Sequence, residues 1–167
     1  MTAVMPRLGG SLALALMGLW MVQVYSQQMD MVLMPLNLMT AQASAAMLSG
    51  MGFPMVQEQT LLTHAAGFSG DIDYACTALI PATLLAAAIL PWPASWQWRL
   101  MGVLVGTALV ILLNQLRIVS LVFLGVRESA WFDVAHLWLW PVALMLVTVS
   151  YWYGWTRVAE VKHTPRL

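Results

Sequence analysis

Three residues in this 167-residue chain carry reactive or charged groups in otherwise apolar surroundings: Cys76, Arg117 and His136. Cys76 opens an apolar run, and a thiol at a helix N-terminus is biased toward the thiolate, the nucleophilic form. Arg117 lies about two helical turns inside another run, where an arginine costs roughly 2.5–3.5 kcal/mol to insert into a bilayer. Asn114 and Ser120 stand three residues either side of it, giving a polar stripe that faces protein or a wet cavity. His136 opens a third run three residues after Asp133, which either caps that helix or orients the imidazole. A thiolate nucleophile, a guanidinium for an oxyanion and an imidazole to move protons together suit acyl transfer.

The elements that must position them are membrane helices. The composition is 61% hydrophobic and 8% charged, with seven Lys+Arg balancing seven Asp+Glu, and the mean hydropathy is +0.79. Fourteen charges cannot cover a soluble globule of this size. The same figures exclude disorder and electrostatic nucleic-acid binding. One cysteine excludes an internal disulfide, a thiolate metal cluster and disulfide exchange. No metal or cofactor is expected, and His136 has no second histidine in a span with which to hold haem.

Apolar runs predict an all-α integral membrane protein, a single domain over 1–167 with spans at 8–25, 74–90, 100–124 and 134–155. The first run lacks a cleavage site and reads as a retained anchor. Segment 31–53, with Asn37, Thr40, Gln42, Ser44 and Ser49, is expected to be an interfacial or re-entrant helix on the outer face, and 54–73 an extracytoplasmic loop. Four spans put Arg7, Arg99, Arg157, Lys162 and Arg166 inside and only Arg127 outside. The alternative of five spans, with 31–53 crossing, leaves Arg7 outside and fits the positive-inside rule less well. Trp92, Trp96, Trp98, Trp152 and Trp155 then fall at the inner interface, and Trp131, Trp138 and Trp140 at the outer. Either way Cys76, Arg117 and His136 share the outer side, at the ends of three helices.

Asp73-Tyr74-Ala75-Cys76-Thr77, then Asn114-Gln115-Leu116-Arg117-Ile118, then Ala135-His136 resemble the motifs of the exosortase/archaeosortase family over about 31–155. The chain is similar to compact forms such as exosortase H. Thr77-Ala78 follows the cysteine where the family usually has Ser-Gly. The resemblance implies a cysteine peptidase/transpeptidase of the inner (plasma) membrane, multi-pass, with its site facing outward. Cys76 would be nucleophile, Arg117 oxyanion stabiliser and His136 acid/base, with Asn114, Ser120 and Asp133 supporting. Its partners would be exported proteins ending in a short motif, a transmembrane helix and a basic tail. The competing expectation is a non-enzymatic membrane assembly or binding subunit in which Arg117 pairs with a partner helix and Cys76 is inert.

Overall fold

A computed structural model describes residues 4–24 and 26–163. The element order is α1 (Val4–Val24), α2 (Ser26–Gly50), β1 (Val56–Glu58), β2 (Leu61–Thr63), β3 (Ser69–Asp71), a 3-10 turn (Tyr74–Cys76), α3 (Leu79–Ile89) and α4 (Trp96–Val126). A short α5 (Phe132–Val134) then runs through a π-turn (Ala135–Leu139) into α6 (Trp140–His163). Tyr25, Arg166 and the side chains of Arg7 and Lys162, used above for span limits and charge asymmetry, lie outside the described residues.

Among the described residues, two helical stretches are long and apolar enough to cross a membrane, Trp96–Val126 and Trp131–Glu160. Their most apolar windows are only 33% and 11% buried by the rest of the chain. Leu112, Leu137, Trp138 and Met145 are each more than 60% exposed. A soluble core helix hides such side chains; these face a hydrocarbon solvent. Shorter apolar helices occupy Gly9–Gly18 and Leu79–Ile89.

Three expectations need correction. The all-α assignment misses a three-stranded antiparallel meander, order β1-β2-β3, within the segment expected to be a loop. Its tight reversal places Gln59 at φ 56°, and Gly67 takes φ 95° in the second turn. The run expected to span from residue 74 is broken. Asp73 caps the 3-10 turn, and Thr77 is extended (φ −90°, ψ 167°), so α3 begins only at Leu79. Pro81 fits its first turn, where an N–H would have no partner within the helix. Finally, Trp155 is no interface anchor: it is 8% exposed, and its indole lies where a Cβ on Gly102 would sit.

Among the described residues two cores hold the bundle. At the sheet end, Ala41 and Leu48 of α2 and Leu62 of β2 pack with Ile118, Val119 and Val122 of α4. Gly125 lets the Phe68 ring close over the end of α4. Ser44 donates to Gln115 Oε1 at 2.7 Å, so the polar stripe of α2 faces α4. At the other end Leu85 and Ile89 meet Val110, Trp155 and Ala159. A Cβ on Gly106 would lie 2.5 Å from both Leu85 and Tyr151, so only glycine permits this approach of α3, α4 and α6. Tyr151 donates to the Gly102 carbonyl at 2.8 Å, and Ser11 of α1 to the Ala87 carbonyl at 2.7 Å.

Candidate active site

Cys76 ends the 3-10 turn ahead of α3, and so precedes the apolar helix. Its local fold is set by neighbours whose spacing suits a cap. Asp73 Oδ1 accepts from the Cys76 N–H at 3.0 Å. The Thr77 hydroxyl donates to the Tyr74 carbonyl at 2.7 Å. From α4, the Asn114 side-chain amide donates to the Cys76 carbonyl at 2.7 Å. Asn114 is 2% exposed, so this long-range bond is shielded from solvent. The nucleophile candidate is thereby fastened to the helix that carries Arg117.

The thiol is half-buried. Burial raises its pKa to about 11, the Asp73 carboxylate adds to the rise, and the Arg117 guanidinium opposes it. This reverses the expectation from a helix N-terminus. A single 3-10 turn offers little dipole, and the capping residue is itself an anion. Cys76 therefore rests as a thiol and needs a base to become a nucleophile.

Arg117 lines a cavity of about 550 Å³ bounded by α1, the 3-10 turn, α3, α4 and α6. Ala75 and Thr77, the neighbours of Cys76, line it with Arg117, while Leu12, Ala88 and Trp152 line the far end. The wall is almost wholly apolar, so a charge there interacts more strongly than in water. Among the described residues Arg117 Nε is buried without a hydrogen-bond partner.

Cys76, Asn114 and Arg117 are thus brought together, with Asp73 as the residue that sequence reasoning quoted without giving a role. Its position three residues before Cys76 is the signal of a cap. The other three candidates stand apart. His136 lies on the π-turn, half-buried, its ring 5.7 Å from Phe132. Among the described residues no hydrogen bond joins it to Cys76, Arg117 or Asp133. Asp133 is exposed in the first turn of α5, whose N-cap is Trp131. Ser120 donates to the Arg117 carbonyl at 2.8 Å, so its hydroxyl is spent on its own helix.

Comparison with known proteins adds one match. The model of the transmembrane exosortase family covers residues 10–153. The chain belongs to that family. No curated protein and no solved structure matches it. In this exosortase the matched stretch contains Cys76, Arg117 and His136, together with the cavity and the meander. Membership supports a membrane location and a transpeptidase-like role in general.

Proposed function

We propose that the chain is a membrane-embedded cysteine peptidase/transpeptidase acting on C-terminal sorting signals of exported proteins. The observation that carries this reading is the junction of Arg117 with the Cys76 turn at the head of an apolar cavity. Cys76 Sγ attacks the scissile carbonyl carbon while His136 takes the thiol proton. Negative charge then develops on the carbonyl oxygen, and the Arg117 guanidinium stabilises it. Collapse of this intermediate breaks the C–N bond, His136 returns the proton to the leaving amine, and a thioester remains on Cys76. Water attacking the thioester gives release; an amine or hydroxyl from a surface acceptor gives anchoring.

In this reading α1, α3, α4 and α6 are the four spans and α2 lies at the outer face. The Ser11–Ala87 bond supports that count. Four spans put the start of α1 and the end of α3 on the same, inner side, whereas five would put Ser11 at the opposite end of α3. The membrane is the inner (plasma) membrane, and the Cys76 end faces outward. The cavity wall on α6 runs from Pro141 to Trp152, about 16 Å at 1.5 Å per residue. The apolar segment that follows the scissile bond lies along it, which explains why a peptide bond near the lipid surface is the one presented to Cys76.

The raised thiol favours the competing reading of an inert cysteine in a non-enzymatic subunit, and one experiment separates the two. The full chain is co-expressed with an exported protein ending in a short motif, an apolar helix and a basic tail. Cys76→Ala and Cys76→Ser should reach the membrane at normal levels and leave that protein uncleaved. Normal processing by Cys76→Ala would end the peptidase reading.

A further inference from the structure

We propose that Pro141 and the π-turn before it form a positioning device that turns His136, rather than Leu137, toward the cavity shared by Arg117 and the Cys76 turn. The functional meaning rests on the reading of His136 as the proton-transferring base; the geometry does not.

The Trp140 N–H bonds to the Ala135 carbonyl, five residues back rather than four. Pro141 follows at once. A proline inside a helix lacks the N–H that would reach the carbonyl of residue 137, and its ring collides with that carbonyl. Widening the preceding turn moves the carbonyl aside and places one extra residue in the turn. Every residue before the turn is thereby shifted in phase by one position, about 100° in a helix of 3.6 residues per turn.

The consequence follows from which side of α6 faces inward. Pro141, Leu144, Thr148 and Trp152 line the cavity at helical spacing. Continued upward without the extra residue, that stripe would reach Leu137. With it, the stripe extrapolates to His136, one turn before Pro141, where the α6 lining of the cavity begins. Exposure agrees: Ala135 is 5% exposed and His136 half-buried, whereas Leu137, Trp138 and Leu139 are 62%, 70% and 61% exposed. The aromatic chain from His136 to Phe132 to Phe68, with ring separations of 5.7 and 6.3 Å, ties this segment to the sheet end of the bundle. There Phe68 closes on Gly125 and packs on the core that also receives Cys76. A leucine in the inward position could not carry a proton; the extra residue exchanges it for an imidazole.

The test measures separation rather than turnover. Single cysteines are introduced as His136→Cys or Leu137→Cys into the full chain in membranes, with Cys76 retained. Bridging to Cys76 by a short bifunctional methanethiosulfonate is followed by mass spectrometry. His136→Cys should bridge at least tenfold faster than Leu137→Cys. Adding Pro141→Ala, which restores the missing N–H, should cut that preference to threefold or less. A merely structural role for Pro141 would slow both bridges alike. Leu137→Cys bridging as fast as His136→Cys in the unaltered chain would overturn the proposal, as would a preference that Pro141→Ala leaves intact. Failure of the peptidase reading would show separately, as processing that survives Cys76→Ala.

Discussion

The side-chain amide of Asn114 on α4 donates to the backbone carbonyl of Cys76 at 2.7 Å, across 38 residues of sequence. It is the hydrogen bond that fastens the thiol-bearing turn to the arginine-bearing helix. Asn114→Leu keeps the volume roughly but strands the carbonyl, a loss of about 1–3 kcal/mol for a buried polar group left unpaired. Thermal unfolding of the purified chain in detergent should fall accordingly. Processing should fall further than stability does, because the turn is freed from Arg117. Asn114→Asp removes the donor and adds an anion beside a half-buried thiol, and should be worse in both measurements. Unchanged processing in Asn114→Leu would mean that the turn holds its place without this bond.

The thiol raised to about 11 by burial and by Asp73 has a pH signature. Alkylation needs the thiolate, whose fraction grows roughly tenfold per pH unit while the pH is below the pKa. Labelling of Cys76 by a small haloacetamide should therefore be slow at pH 7 and still be climbing at pH 10, where an ordinary thiol has levelled off. Asp73→Asn keeps a capping oxygen and removes the anion, so it should lower the thiol pKa and speed labelling at pH 8 severalfold. Arg117→Gln removes the opposing cation and should slow it. A rate that levels off by pH 9 in the unaltered chain would refute the electrostatic account.

How much of this was legible beforehand depends on whether a feature changes composition. Arg117 and Asn114 stood out because polar groups are scarce in a run of Leu, Val and Ile, and α4 was legible from the length of that run. Its true start is Trp96, because Ser95 caps it with a 3.4 Å bond from the Trp98 N–H; the tryptophans and Arg99 had masked that first turn. The break between Cys76 and α3 was hidden by the apolar residues on both sides of the extended Thr77, although Asp73 and Pro81 mark it. The meander was invisible because its strands are three residues each and only Leu62 is buried on folding, too little for an alternating pattern. The π-turn adds one residue to a turn without altering residue type, so phase at His136 was beyond sequence reasoning.

Arg117 affects the site in two separable ways, as a charge and as a fork of donors. Its charge opposes Asp73 at the Cys76 thiol, and any cation of similar reach does the same. Its fork is directional: five N–H groups in one plane, on a side chain that lines the cavity and whose Nε is buried. An oxyanion on the substrate needs donors at fixed positions in a dry site, and loss of one such donor typically costs about 10²–10³ in rate. Arg117→Lys keeps the charge and loses the plane. Cleavage of the co-expressed substrate should thus fall by at least about a hundredfold, while the pH profile of Cys76 labelling stays within about half a unit of the unaltered chain. Loss of both would mean that the lysine no longer reaches the turn, and Arg117→Gln then serves as the reference for a missing cation. Full activity in Arg117→Lys would show that charge alone suffices, and the oxyanion role would pass from the guanidinium plane to the electrostatic field of the cavity.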